Sequence, residues 1–332
     1  MKINVPIVVM RFIAIVMIVF HHCLTVFYLF PPSDLTSIGF GEIGFFLSNF
    51  AKVYGLGIFT FISGFLLVNS RQDSLSWSFI LHKAKKILLP CFLTALVYYL
   101  FFSEFCVTRN TIKDTHLWYL PMIFVFYLLL PILKSKSIRI TIGGVLVAMF
   151  LFVVFGRITD IKLFSDCLRY YGYFVTGALL NKYFRLGMLK SKELILLAVS
   201  TMLFIKYGTI FPTIGIIENS GMMSPVGVAI EIICLYFLFC HIRVSNKYKM
   251  AIVNYDRQLG MVKKVIFLVS KHSYQIYLLH MFVINLSILY LPRNIPCFKY
   301  VFAFLTFSMA IVLPIIVTNI WNYLITCLRC KT

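Results

Sequence analysis

The 332-residue chain is 61% hydrophobic and only 13% charged, and its mean hydropathy is +0.93. This composition excludes an ordinary soluble globular domain and predicts a polytopic membrane protein. Apolar runs that do not alternate, such as the one from Val145 to Phe155, exclude a transmembrane β-barrel and favour helices.

About ten apolar blocks follow one another along the chain, and each is long enough to cross a membrane as a helix. Their centres lie near residues 16, 60, 98, 126, 148, 176, 200, 233, 282 and 313. Most of the 31 lysines and arginines then fall on one side, which the positive-inside rule identifies as the cytoplasm, together with both termini. We therefore expect an all-α, multi-pass transmembrane bundle that forms one domain over residues 1–332. Topology explains the net charge of +20, so no nucleic-acid partner is expected.

The first predicted helix contains an arginine and a histidine that share one face. His22 follows Arg11 by eleven positions, which corresponds to three helical turns plus about 20° and a rise of about 16 Å. His21 points roughly 80° away from His22. An intramembrane cation usually faces the bundle interior and indicates a functional site, so both residues are candidates. The alternative is structural, with Arg11 reaching the inner interface and His22 bonding to a neighbouring helix.

The second predicted helix is rich in small residues, and a basic segment follows it. Gly55, Gly57, Ser63 and Gly64 predict close approach of another helix. Lys83 and Lys86 then lie three residues apart on one side of the third helix. On charge alone, this pair anchors the helix at the cytoplasmic interface.

Three further spans carry polar or aromatic candidates. The fourth opens with the segment from His116 to Pro121, which includes Trp118, and the ninth carries His280 among aromatic residues. Counting 1.5 Å per residue places Glu231 of the eighth span near the level of His22, and His280 near the level of Arg11. A carboxylate at that level either orients the histidine or neutralises a cation in the membrane. Cys327 and Cys330 form a single CxxC pair without a second one, so no metal site is predicted.

These segments, in this order, resemble acyltransferase family 3, the integral-membrane O-acyltransferases that modify bacterial surface glycans. The likeness rests on Arg11 and His22 in the first helix, the glycines and the Ser63-Gly64-Phe65 element of the second, the His and Trp at the start of the fourth, and the Tyr-Leu-Leu-His of the ninth. It extends from residue 10 to about residue 285. The family often has Arg-x-x-Arg after the second helix, where this chain has Lys83 and Lys86, which bind phosphates as point charges without the bidentate guanidinium fork.

The resemblance implies that an acyl group, most often acetyl from acetyl-CoA, is delivered to a sugar hydroxyl of a surface polysaccharide such as an O-antigen, or of its lipid-linked precursor. His22 is then the general base, Arg11 holds the donor or the thioester oxygen, and Glu231 orients His22. Lys83 and Lys86 bind the CoA phosphates, with His280, Trp118 and Ser63 as further candidates. CoA is a substrate, and no bound cofactor or metal is expected. Since the chain has no GxSxG segment, direct transfer is favoured over a serine acyl-enzyme, with an acyl-histidine intermediate as the alternative.

Two other functions fit the same residues. Intramembrane Arg, His and Glu side chains also line substrate paths in transporters, so a flippase for lipid-linked sugars is the main rival. About ten spans without a detectable inverted repeat weigh against it. The third function is transfer of another acyl group, such as succinyl, on the same fold. In each case the expected location is the bacterial cytoplasmic (inner) membrane, in contact with its lipids.

Overall fold

The computed structural model describes residues 5–29, 41–68, 75–106, 116–135, 137–158, 162–183, 260–290 and 298–329. Within these residues the chain is helical and contains no strand, as the sequence predicts. The α-helices are α1 Val5–Leu29, α2 Gly41–Val68, α3 Trp77–Cys106, α4 Tyr119–Tyr127, α5 Leu130–Lys134, α6 Ile138–Ile158, α7 Lys162–Tyr183, α8 Met261–Lys271, α9 Ser273–Tyr290 and α10 Phe298–Arg329. A short 3₁₀ helix, His116–Trp118, leads into α4.

Four helical segments in the described part of the chain are long and apolar enough to cross a membrane. They are Val5–Leu24, Phe50–Val68, Trp77–Phe102 and Ala303–Cys327. The last two bury only 17% and 22% of their residues, so their apolar side chains are solvated by lipid when the protein lies in a bilayer. The predicted spans near residues 126, 148, 176 and 282 coincide with α4, α6, α7 and α9. Those centred near residues 200 and 233 lie outside the described residues.

The described helices divide into two compact units. The first contains α1 from Val8, α2 up to Leu56, and helices α8 to α10. The second contains the remainder of α2, from Gly57, and helices α3 to α7. The core of the second unit is aromatic, because the Phe126 ring of α4 lies 4.9 Å from that of Phe174 on α7 and 6.1 Å from that of Phe152 on α6.

Glycine allows α2 and α7 to meet backbone to backbone. A Cβ atom at Gly64 would overlap the carbonyl group of Phe174, and one at Gly177 would overlap the carbonyl oxygen of Phe61. One turn further along, the Asn181 side chain donates a hydrogen bond of 2.5 Å to the carbonyl oxygen of Phe65. The expectation that the small residues of the second helix permit close packing is therefore confirmed at Gly64.

Replacing Gly64 with alanine is expected to destabilise the protein by about 1–3 kcal/mol, because a backbone carbonyl cannot move aside as a side chain can. The measurement is thermal unfolding in detergent. Gly143→Ala on α6 is the control, since a Cβ there meets no atom within 4 Å and alanine is the better helix former. Equal melting temperatures for the two variants would show that the close α2 to α7 contact does not stabilise the fold.

Candidate functional site

The face of α1 that carries Arg11 and His22 is packed against other helices. Ile15 and Ile18 lie between them on the same helical line and are 0% and 2% exposed. On α2, a Cβ atom at Gly55 would lie 2.9 Å from Cγ1 of Ile18, so the backbone of α2 approaches α1 directly at this level. Both Arg11 and His22 are partly buried. The prediction that this face is turned inward is therefore confirmed.

His21 is held by the first part of α2. Its Nδ1 lies 3.0 Å from the carbonyl oxygen of Ser48 and 2.8 Å from the Ser48 hydroxyl. Because a carbonyl oxygen can only accept, Nδ1 carries the hydrogen, and in the neutral ring Nε2 keeps the lone pair. His21 therefore links α1 to α2.

His22 lies between two other imidazoles. Its ring centroid is 4.8 Å from that of His21 and 5.1 Å from that of His280, which α9 supplies to the same unit. We call His21, His22 and His280 the histidine cluster. The expectation that His280 lies at the level of Arg11 is wrong, because its ring is beside His22, three turns further along α1. Counting residues assumed a common starting plane for all spans, whereas packing determines the depth of α9.

The structure adds two residues of α2 to this site. Neither was among the site residues predicted from the sequence. Ser48 is 6% exposed and binds His21, and Lys52 lies one helical turn further on, close enough for its charge to act on His21. Ser48 and Lys52 are four residues apart in the sequence, and this spacing places both on one face of a helix. The site thus combines the histidine cluster with the hydroxyl of Ser48 and the cation of Lys52.

The two lysines considered for CoA occupy different environments in the second unit. The Nζ atom of Lys83 lies 4.2 Å from the centroid of the Tyr127 ring and 5.5 Å from that of Phe79. Lys83 is therefore partly buried and makes cation–π contacts, which are worth about 0.5–2 kcal/mol. Lys86 is exposed. Both remain on one side of α3, as predicted.

Ser63 and Trp118 also lie in the second unit. The Ser63 hydroxyl donates a 2.9 Å hydrogen bond to the carbonyl oxygen of Phe59, one turn earlier in α2. The Trp118 ring is 5.6 Å from that of Tyr170 on α7 and 6.2 Å from that of Tyr119. These contacts support packing roles for both side chains. Glu231 lies outside the described residues, so its expected position beside His22 stays a prediction.

Long apolar helices, with a histidine cluster on an inward face, define an integral membrane protein with a polar site in its interior. The chain belongs to the acyltransferase 3 family, whose model, described as an acyltransferase domain, matches residues 7–325. The protein is therefore a membrane acyltransferase. No curated protein and no solved structure gives a significant match to the chain.

Proposed function

We propose that this acyltransferase moves an acetyl group from acetyl-CoA to a sugar hydroxyl of a bacterial surface polysaccharide or its lipid-linked precursor. The observation that carries the proposal is the histidine cluster on the packed face of α1, in a chain whose family transfers acyl groups. The protein is a single domain of about ten spans in the cytoplasmic membrane, with both termini in the cytoplasm. This topology rests on the distribution of basic residues.

In the proposed reaction His22 is the general base. It removes the proton of the sugar hydroxyl while the hydroxyl oxygen attacks the thioester carbonyl carbon. The tetrahedral intermediate collapses as the carbon–sulfur bond breaks, and His22 returns the proton to the CoA sulfur. The products are an O-acetyl ester and CoA, and His22 is again neutral. The role of Arg11 is to bind the donor or stabilise the developing oxyanion, since its cation lies on the same face of α1.

Transfer of label from acetyl-CoA tests the proposal. Purified protein in lipid vesicles is mixed with acetyl-CoA labelled in the acetyl group and with envelopes of cells that lack the protein, which contain the unmodified acceptor. Label is expected in polysaccharide. Mild base should release it, because O-acetyl esters hydrolyse in mild base and amides do not. Succinyl-CoA is compared as donor. If neither acetyl-CoA nor succinyl-CoA transfers label to polysaccharide, and lipid-linked sugar moves across the vesicle membrane, the result would favour a flippase instead.

Changing Lys83 and Lys86 together to alanine is expected to raise the KM for acetyl-CoA about tenfold or more, with a smaller effect on kcat. Charge-assisted hydrogen bonds to phosphate contribute about 1.5–3 kcal/mol each, and they act on donor binding rather than on chemistry. Arginine at both positions should retain activity, since it preserves the charge and the cation–π contact of Lys83.

Lys85→Ala is the matched control for this prediction. Lys85 is exposed on the same helix, between the two lysines in sequence, but it points away from their common side. Its removal should leave the donor KM unchanged. If the double variant also leaves the donor KM unchanged, Lys83 and Lys86 serve only to set topology.

A further inference from the structure

Helix α8 exposes an apolar stripe. Met261, Val265 and Leu268 follow one another after four and three residues, so their side chains lie within about 60° on one side of the helix. They are 83%, 48% and 42% exposed. Val269 and Ser270, in the last turn, are buried. The C-terminal turn of α8 therefore packs against its unit, while the apolar stripe is open to the surroundings.

Lysines border this stripe. Lys264 and Lys271 are seven residues apart, and both lie within about 60° of Leu268 around the helix axis. Both are exposed, as is Lys263. The helix contains no Asp or Glu, so it carries three positive charges. An exposed apolar stripe bordered by lysines is typical of a helix in contact with the headgroup region of a membrane, because the lysine stems cover apolar surface while the ammonium groups reach the phosphates.

The place of α8 in the chain puts it in the cytoplasmic leaflet. It ends directly before α9, which in the proposed topology runs from the cytoplasm outward. The ring contact between His22 and His280 gives α1 and α9 a common level. Lys264 comes sixteen residues before His280 and lies at most about 24 Å from that level. The first turn of α1, at Val5 to Val8, lies about 21–26 Å from it. Lys264 thus reaches no further than the cytoplasmic end of α1.

We propose that α8 is a binding surface for anionic phospholipids of the cytoplasmic leaflet. Met261, Val265 and Leu268 contact the acyl chains, and Lys264 and Lys271 bind the headgroup phosphate. Each basic residue near an anionic surface strengthens binding about fivefold. The phosphates of CoA would meet the lysines but leave the apolar stripe in water. A second copy of α8 would bring three more positive charges beside the first three. A lipid satisfies both the stripe and the charges.

Photo-crosslinking from lipids tests this assignment on the intact protein. The full chain is placed in vesicles of equal parts phosphatidylglycerol and phosphatidylcholine, with a trace of one or the other carrying a diazirine in its acyl chain. Mass spectrometry then locates the labelled peptides. We expect phosphatidylglycerol to label α8 about tenfold or more above phosphatidylcholine, since two lysines contribute about fivefold each. Equal labelling of α8 by both lipids, or no labelling by either, would overturn the proposal.

Removal of the bordering charges tests the role of the lysines. Lys264→Gln combined with Lys271→Gln should make the labelling of α8 by the two lipids nearly equal. Lys85→Gln combined with Arg139→Gln is the matched control, because it removes the same number of charges from exposed positions on α3 and α6 and leaves α8 intact. The control should keep the wild-type preference. If it loses the preference to the same extent, the net charge of the protein attracts the lipid, and the assignment to α8 fails.

Two further measurements distinguish a lipid from a water-soluble anion. Val265→Ser combined with Leu268→Ser interrupts the apolar stripe and keeps all three lysines, so it should lower the labelling of α8 by phosphatidylglycerol several-fold. An excess of acetyl-CoA should leave the labelling of the wild-type protein unchanged. Full labelling of the serine variant, or loss of label in the presence of acetyl-CoA, would each contradict the proposal. None of these measurements requires acyl transfer, so the lipid surface and the proposed function can fail separately.

Discussion

Replacing His22 with alanine is expected to abolish acyl transfer, at least about a hundredfold in kcat, while expression and membrane insertion remain normal. His22 is partly buried between two imidazoles on the packed face of α1, so its removal takes away the proposed base. Insertion depends on the apolar surface of α1, and alanine does not reduce it. The measurement is release of CoA and appearance of ester per mole of folded protein.

His21→Ala is expected to be milder than His22→Ala, and Ser48→Ala is its matched control. Since His21 bonds to Ser48, its removal costs about 1 kcal/mol in stability through the lost contact between α1 and α2. Ser48→Ala removes the hydroxyl from the same contact and leaves all three imidazoles in place. Similar, small losses in both would show that His21 has a structural role. Equal and complete loss in His21→Ala and His22→Ala, at equal protein levels, would contradict the assignment of His22 as base.

Replacing Arg11 with lysine is expected to leave insertion unchanged and to lower transfer at least about tenfold, because lysine lacks the planar fork that binds a phosphate or carbonyl group at two points. Arg11 is partly buried and lies one turn from the fully buried Ile15, on the same face of α1. A residue that only anchors the helix needs a flexible cation, which lysine supplies. Insertion is checked by labelling a cysteine introduced at the N-terminus.

Arg139→Lys is the control for the chemical change itself. Arg139 is exposed near the start of α6 and should tolerate lysine without loss of activity. Wild-type activity in Arg11→Lys would identify Arg11 as an anchor and exclude guanidinium recognition from the mechanism, with His22 then acting without its proposed partner on α1.

Composition and local pattern were sufficient to predict a helical membrane protein and to predict which face of α1 packs against other helices. Apolar runs of about 20 residues admit few structures in a bilayer, and the spacing of Arg11 and His22 follows from helix geometry alone. The small side chains of the second helix likewise predicted close packing. The sequence could not show that Gly55 meets α1 and that Gly64 meets α7, because the partner of a helix depends on surfaces far away in the chain.

The sequence by itself determined the features that depend on local chemistry. These are the helices, their apolar faces, and the charged or imidazole side chains that are unusual in a membrane. Only the tertiary structure decided that His280 lies beside His22 rather than at the level of Arg11, and that Ser48 binds His21. The depth and rotation of α9 depend on how its side chains fit those of α1 and α10, and such interlocking has no signature in the period of a single helix.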